Sequence, residues 1–204
     1  MKTFWDQFAF AYDMAESLNK KAYQAMLSKI AAHIPEKARV LECAAGTGAI
    51  SIAVAPKAAS VLCTDLSIPM LEKARKKAKK RGLENISFAE RNLLHLPEKN
   101  ESFDVVIAAN VIHLLDNPKE AVVELWRVTK YNGLLIIPTF LTDKSTMGFS
   151  ILLRLYRLLG FRTKYSFSEA EYKRVLDNCG LPKPSIQVIK GRMPVGFAVF
   201  MRAE

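Results

Sequence analysis

The segment Glu42–Ser51 reads ECAAGTGAIS and follows Val40 and Leu41, two apolar residues typical of a buried strand. A strand that ends in small residues and continues into a helix leaves free backbone N–H groups at the start of that helix. Gly46 and Gly48 have no Cβ, so the backbone can turn sharply there and a ligand can come close. The pattern therefore predicts a binding loop of the nucleotide type.

Two common phosphate-binding motifs do not fit this loop. From Gly46 the sequence reads GTGAIS, so Ser51 stands where a GxGxxG dinucleotide fingerprint needs its third glycine. The chain has no GxxxxGK[ST], which excludes a P-loop. Asp65 ends the strand-like run SVLCTD about 20 residues after the glycines, where an acidic residue commonly binds ribose hydroxyls. The alternative role for Asp65 is a helix N-cap, which Ser67 fits as well or better.

Strand-like and helix-like segments alternate along the chain, which predicts a doubly wound α/β fold. Several apolar runs are continuous, as expected for parallel strands covered on both faces. The predicted strands are RVLECA, SVLCTD, ISFAER, FDVVIAANV, GLLIIPTF, SIQVIK and GFAVFMRA. The predicted helices are AYQAMLSKIAAHI (ending at Pro35), GAISIAVAPK, SIPMLEKARKKAKKRG, NPKEAVVELWRVTKYNG and SEAEYKRVLDNCG.

Composition predicts one ordered domain. The chain has 204 residues, of which 50% are hydrophobic and 25% charged, a balance that argues against disorder. No apolar run approaches the ~18 residues that span a bilayer, and polar residues interrupt the N-terminal MKTFWDQFAFAYD, unlike a signal peptide. Cys43, Cys63 and Cys179 are too scattered for a disulfide framework or a metal site. We therefore expect a reducing, cytoplasmic setting.

A net charge of +10 raises the question of an anionic partner. Much of this charge comes from KARKKAKKR, Lys73–Arg81. On a helix that begins near Ser67, the residues Leu71, Ala74 and Ala78 form one buried stripe, so the basic residues occupy the other faces. A solvated helix exterior is the favoured interpretation, and a nucleic-acid or membrane patch is the alternative.

The segment ECAAGTG resembles the E/D-x-G-x-G-x-G motif of class I S-adenosylmethionine (SAM)-dependent methyltransferases. The resemblance extends from FAFAYD to GFAVFMRA and is closest to the small-molecule branch that includes the ubiquinone and menaquinone biosynthesis methyltransferases. Glu42 takes the acidic place, and Ala44, Gly46 and Gly48 take the three glycine places, Ala44 with one extra methyl group. The resemblance implies a Rossmann-like sheet, mostly parallel with an antiparallel last strand and helices on both faces. It also implies SAM as cofactor and S-adenosylhomocysteine (SAH) as product.

The resemblance further implies the residues that contact SAM. Glu42 suits the ammonium group, directly or through water, and Asp65 suits the ribose hydroxyls. Asn92 stands where relatives often carry an aspartate that accepts the adenine amino group, and an amide oxygen can accept the same bond. The residues predicted to bind the cofactor are Tyr12, Glu42, Ala44, Gly46, Gly48, Asp65, Leu66, Met70, Asn92, Leu93, Ala109 and Asn110.

Two further segments resemble parts of the family. FDVVIAANVIHLL is similar to FDxVxxxxxLHHL and places Ala109 and Asn110 at a strand end, with His113 where relatives often carry a histidine. His113 either contacts the acceptor or takes its proton, or it is a structural histidine. FAFAYD resembles A-x-x-Y-D, so Tyr12 either donates a hydrogen bond to the SAM carboxylate or packs the N-terminal helix.

The acceptor is predicted to bind under an insertion. We expect one domain over residues 1–204, with an N-terminal helical cap at 1–36 and a lid at 141–167 that covers the acceptor pocket. Phe149 and Tyr156 in this lid favour a hydrophobic acceptor, and Arg157 suits an anionic group on it or a membrane surface. The alternative is a lid that packs on its own core.

The sequence therefore predicts methyl transfer from SAM to a small, apolar or aromatic acceptor, without a metal. An RNA or protein methyltransferase is one alternative, but Ala109-Asn110-Val111-Ile112 lacks the N/D-P-P-Y/F clamp of base methyltransferases. A non-catalytic SAM-binding partner subunit is the other, motivated by Ala44 and Asn92. The sequence leaves open the acceptor atom and the oligomeric state.

Overall fold

The structure, a computed structural model, describes residues 19–141, 166–191 and 193–203. Three predicted acceptor contacts (Phe149, Tyr156 and Arg157) and the predicted cofactor contact Tyr12 lie outside these residues.

Seven strands of the described residues form one sheet in the order β3-β2-β1-β4-β5-β7-β6. Strands β1 to β5 pair in parallel, whereas β7 runs antiparallel to both of its neighbours, β5 and β6. The predicted sheet, mostly parallel with an antiparallel last strand, is thereby confirmed. The strands are β1 (Arg39–Cys43), β2 (Ser60–Asp65), β3 (Ile86–Glu90), β4 (Phe103–Ala108), β5 (Thr129–Phe140), β6 (Ser185–Ile189) and β7 (Val195–Met201).

Polar caps define where several helices begin. The Ser67 hydroxyl accepts a bond from Met70 N at 3.4 Å, Asn117 caps the next long helix through Glu120 N, and Ser168 forms a capping box with Glu171. The helices are α1 (Lys20–Ala32), α2 (Ala49–Val54), α3 (Ile68–Lys80), α4 (Pro118–Val128) and α5 (Glu169–Asp177). Within the described residues, none of these helices combines the length and the apolar character needed to cross a membrane.

The sheet separates two apolar cores, and this confirms that helices cover both of its faces. Residues that alternate along a strand point to opposite faces, so Val105 and Ile107 join one core while Val106 and Ala108 join the other. Helices α1, α2 and α3 pack on the first face, and α4 and α5 pack on the second. The stripe predicted on α3, Leu71, Ala74 and Ala78, is buried in the first core.

Two predicted boundaries were wrong. The helix predicted to run through KYNG ends at Val128, because Thr129 has extended backbone and belongs to β5. The Thr129 hydroxyl donates to Leu125 O at 2.8 Å and closes the last helical turn. The strand predicted as FDVVIAANV ends at Ala108, because Asn110 adopts φ +52° and turns the chain into a short 3-10 helix, Ile112–Leu114.

Asn110 is held in that turn by the end of β5. Its backbone N–H donates to Pro138 O at 2.8 Å, and its side-chain Oδ1 accepts from Phe140 N at 3.0 Å. Strand order reverses between β1, which continues to β2 on one side, and β4 on the other. Ligands of open α/β sheets bind beyond the carboxyl ends of the strands at such a reversal. The fold therefore places the candidate site beside Asn110 and the loop after β1.

Gly196 tests how closely the second core is packed. A Cβ at Gly196 would lie 2.7 Å from Tyr172 Cε1, and that ring is fully buried with its hydroxyl bonded to Ile137 O. We expect Gly196→Ala to lower the free energy of unfolding by about 3 kcal/mol in urea titrations, because the ring cannot move aside. Gly180→Ala is the control, since nothing lies within 4 Å of its Cβ position, and its φ of +76° costs only about 1 kcal/mol. Equal losses in the two variants would contradict the packing argument.

Candidate functional site

A cleft of about 180 Å³ lies at the carboxyl ends of β1, β2 and β4. Nine of the twelve residues predicted to bind the cofactor line this cleft, although they come from four separate stretches of the sequence. They are Ala44, Gly46, Asp65, Leu66, Met70, Asn92, Leu93, Ala109 and Asn110. Of the other three, Glu42 and Gly48 do not line the cleft, and Tyr12 lies outside the described residues.

The loop after β1 winds tightly because three of its residues have left-handed backbone. The φ angles are +52° at Ala44, +55° at Gly46 and +75° at Gly48. This conformation suits glycine, whereas an alanine in it is strained by roughly 1–2 kcal/mol. A Cβ on Gly48 would also lie 2.7 Å from Ala74 Cβ, so α3 packs directly against the loop. The loop conformation therefore depends on the glycines at the second and third motif places.

Asp65 connects this loop to the start of α3. Its Oδ2 accepts a hydrogen bond from Gly46 N at 2.8 Å, and its Oδ1 accepts one from Ser67 N at 2.8 Å. Ser67, and not Asp65, caps α3. Each carboxylate oxygen can accept more than one hydrogen bond, so the half-buried Asp65 can hold the loop and still accept bonds from hydroxyl groups in the cleft.

Glu42 has a different environment from Asp65. Its side chain is only 2% exposed, and its Oε2 accepts from Ser51 N at 2.7 Å and from the Ser51 hydroxyl. These bonds tie the end of β1 to the first turn of α2. Glu42 lines a separate cavity of about 10 Å³ behind Ala44 and Asn110. A volume of this order is about the size of one water molecule. The predicted contact of Glu42 with the cofactor, directly or through water, stays a prediction.

Apolar side chains form the side of the cleft beyond Asp65. Leu66 is 52% exposed at the mouth, while Met70 and Leu93 are buried. Asn92 Oδ1 accepts from Leu94 N at 3.0 Å, which fixes the side-chain amide at the cleft. The oxygen keeps a second lone pair for another donor. This side of the cleft can therefore hold a flat, weakly polar group such as a purine.

The cleft contains four residues that the sequence argument missed: Arg91, Val111, Leu114 and Leu115. Arg91 follows the last residue of β3, and its guanidinium is held by Glu98 Oε1 at 3.1 Å and Glu90 O at 2.9 Å. The others belong to the turn that follows Asn110. The available signal was positional, since residues directly after parallel strands lie at the same edge of the sheet.

His113 lies in the 3-10 helix but does not line the cleft formed by the described residues. Its Nδ1 is buried and has no hydrogen-bond partner among those residues. Burial lowers the pKa of His113 to about 4, so its imidazole is neutral at pH 7. A neutral imidazole can accept a proton or a hydrogen bond, and the predicted acceptor role of His113 stays a prediction.

Two cysteines next to the loop cannot serve as nucleophiles at neutral pH. Burial raises the pKa of the Cys43 thiol to about 12 and raises the pKa of the Cys63 thiol even further. The thiolate is the reactive form, so both side chains act as small apolar groups.

Comparison with known proteins agrees with this geometry. A family model described as "Methyltransferase domain" matches residues 41–137. The demethylmenaquinone methyltransferase of Clavibacter sepedonicus is 30% identical over 142 residues, which is 68% of this chain and 57% of that protein. The ubiquinone/menaquinone biosynthesis C-methyltransferase UbiE of Zymomonas mobilis is 32% identical over 117 residues, 57% of this chain and 48% of that protein.

A solved structure has the same fold. The magnesium protoporphyrin IX methyltransferase of Synechocystis PCC 6803, with bound SAH, superposes with a TM-score of 0.70 at 20% identity. The superposition covers 93% of this chain and 87% of that one.

The fold, the loop after β1 and these matches support a class I SAM-dependent methyltransferase domain. Within that class, the chain resembles the ubiquinone and menaquinone biosynthesis methyltransferases. It spans about half of the length of the curated relatives that it matches.

Ala44 provides a test of strain in the loop. Glycine adopts φ +52° freely, so Ala44→Gly should raise the free energy of unfolding by up to about 1 kcal/mol after the greater freedom of glycine in the unfolded chain is subtracted. Urea titration measures this change. Ala25→Gly, exposed on α1, is the matched control and should lose about 1 kcal/mol. Losses of the same sign in both variants would show that Ala44 is not strained.

His113 provides a test through pH. A histidine whose pKa falls from 6.5 to about 4 on folding binds its proton more tightly in the unfolded chain, so stability is complete above pH 6.5 and is lost as pH falls toward 4. Between pH 7 and pH 5 the free energy of unfolding of the wild type should fall by about 2 kcal/mol more than that of His113→Gln, because glutamine does not titrate. Urea titrations of both proteins at the two pH values measure the difference. Parallel losses would show that His113 is charged or exposed in the folded state.

Proposed function

We propose that this protein transfers the methyl group of SAM to a small, apolar or aromatic acceptor. The observation that carries the proposal is the Asp65 carboxylate, which lines the cleft while it accepts bonds from Gly46 N and Ser67 N. A carboxylate fixed between a glycine loop and an apolar wall suits a nucleoside with two ribose hydroxyls. The cleft thus offers SAM a polar end and an apolar end.

The cofactor would lie along the cleft in one direction. Asp65 would accept bonds from the ribose hydroxyls, and the adenine ring would lie between Leu66, Met70 and Leu93. The amide oxygen of Asn92 would accept the adenine amino group. At the other end, the loop backbone at Ala44 and Gly46 would contact the methionine part. Ala109 and Asn110 would form the wall nearest to the reacting methyl group.

When bound, SAM supplies a methyl group activated by a sulfonium, which a nucleophile takes by in-line displacement to leave SAH. The protein contributes mainly position, because a well-oriented nucleophile gains most of the rate. The loop and Asp65 would hold the donor. The apolar residues Val111, Leu114 and Leu115 line the neighbouring part of the cleft and would exclude water from it. The neutral His113 is the proposed proton acceptor for a hydroxyl acceptor.

The acceptor side extends the proposal to segments outside the described residues. The lid at 141–167 would cover the acceptor, with Phe149 and Tyr156 as apolar contacts and Arg157 as the partner of an anionic group. The cap at 1–36 would place Tyr12 over the cofactor, within one domain. Relatives named for demethylmenaquinone support a hydrophobic acceptor. The proposal also includes a cytoplasmic setting, peripheral contact with a membrane, and no role for nucleic acid.

The test is calorimetric titration with SAH. We expect wild type to bind, and Asp65→Ala to bind about 10- to 100-fold more weakly, because a hydrogen bond to a charged group contributes about 1.5–3 kcal/mol. Asp177→Ala, exposed at the end of α5, is the control and should match wild type. Circular dichroism of each variant verifies that a weak titration does not reflect unfolding.

Turnover is then measured as SAH formed from SAM with quinols, phenols, thiols and amines as acceptors. Formation of SAH with an apolar acceptor would support the proposed methyltransferase activity. Tight SAH binding without turnover on any class of acceptor would indicate a non-catalytic subunit. Methylation of RNA or protein alone would favour an RNA or protein methyltransferase. If folded wild type does not bind SAH, the proposed function fails.

A further inference from the structure

Helix α3 carries a dense positive charge on its exposed side. Its buried residues Leu71, Ala74 and Ala78 face the first core, and its buried Met70 lines the cleft. The remaining surface includes five exposed basic side chains, which we call the basic face. The basic face consists of Arg75, Lys76, Lys79, Lys80 and Arg81.

Acidic side chains do not balance this charge. Within the described residues none of the five takes part in an ion pair, and Glu72 is the single acidic residue on α3. The guanidinium of Arg75 lies 5.5 Å from the centre of the Phe88 ring, so this aromatic ring is covered. Among the described residues, the basic face therefore presents cations without acidic partners, and one of them, Arg75, lies over an aromatic ring.

The amino end of α3 is apolar and exposed. Leu66 and Ile68, on either side of the N-cap Ser67, are each 52% exposed. On a helix, residues spaced by three or four lie on one side, so Ile68 is in line with Arg75 and Lys79 of the basic face. Leu66 also lines the cleft. The apolar end of this surface is therefore the mouth of the cleft, with the cations extending away along the helix.

We propose that the basic face, together with Leu66 and Ile68, docks the protein on an anionic lipid bilayer with the mouth of the cleft toward the lipid. Basic side chains attract anionic headgroups, and exposed apolar side chains at the same surface gain from contact with the acyl region. A docked cleft would receive its hydrophobic acceptor directly from the bilayer. This last purpose rests on the proposed function. The docking specifies the membrane contact included there, but vesicle binding is measured independently of methyl transfer.

A nucleic acid is the less suitable occupant of this surface. Phosphates would bind the cations. Proteins that bind single strands also stack the bases on open aromatic rings, and here Arg75 covers the Phe88 ring. Leu66 and Ile68 would gain nothing from a phosphate backbone. The apolar residues at the cleft mouth therefore favour lipid.

The experiment is co-flotation of the purified protein with vesicles of phosphatidylcholine alone or mixed with phosphatidylglycerol. We expect binding to the mixed vesicles only, weakening as salt is added. Lys76→Glu/Lys79→Glu should lower the partition coefficient at least about tenfold, since each basic residue near the surface contributes substantially. Ile68→Ser should lower it by a smaller factor.

The control is Lys183→Glu/Lys190→Glu, which changes net charge equally but lies beside β6, at the opposite edge of the sheet from β3. This variant should bind the mixed vesicles like wild type. Equal losses in the two double variants, equal binding to both vesicle types, or tighter binding of a single-stranded RNA probe through Lys76 and Lys79 would overturn the proposal.

SAH titration of the same variants separates this proposal from the proposed function. Retained SAH affinity in Lys76→Glu/Lys79→Glu, with loss of vesicle binding, supports docking through an intact fold. Vesicle binding by a wild type that does not bind SAH would refute the methyltransferase proposal and leave docking supported.

Discussion

The candidate site depends on one carboxylate that joins two segments of backbone. Asp65 accepts hydrogen bonds from Gly46 in the loop after β1 and from Ser67 at the start of α3. Hydrogen bonds to a charged group contribute about 1.5–3 kcal/mol each, enough to select one conformation of a loop rich in small residues. The same side chain lines the cleft. The group that shapes the cleft wall is thus also the group that we propose binds ribose.

The parallel pairing of β1 and β2 brings Asp65 next to the loop after β1. Glu42 pairs with Cys63 across the two strands, so both strands end at the same edge of the sheet. The two acidic residues at that edge have different environments. Glu42 is buried and bonded to Ser51, and it secures α2, whereas Asp65 is half-buried and faces the cleft. Their different burial means that Asp65 faces the cleft directly and Glu42 does not.

The strands could be predicted from the sequence because their signals are local, whereas most residues of the cleft were predicted from the resemblance to the family's motifs. A few adjacent residues are enough to identify an apolar run, a helix cap such as Ser67 or Ser168, or the position of Asp65 at a strand end. The end of β4 could not be predicted, because the left-handed turn at Asn110 depends on a bond from Phe140 N, 30 residues away. The left-handed backbone of Asn132, with φ +59°, could not be predicted for the same reason, because its N–H donates to the distant Arg202 O. The position of Arg91 directly after β3 could have been predicted, whereas the direction of its guanidinium depends on Glu98.

Ala44 departs from the family pattern, and its geometry shows how much that departure costs. Its φ of +52° is the angle that glycine would supply, so the loop keeps its path at a cost of roughly 1–2 kcal/mol. Gly46 N still reaches Asp65 at 2.8 Å, and the cleft keeps about 180 Å³. The extra methyl group therefore strains the loop without closing the cleft. Strain of this kind is an argument about stability, and it gives no independent reason to regard the domain as non-catalytic.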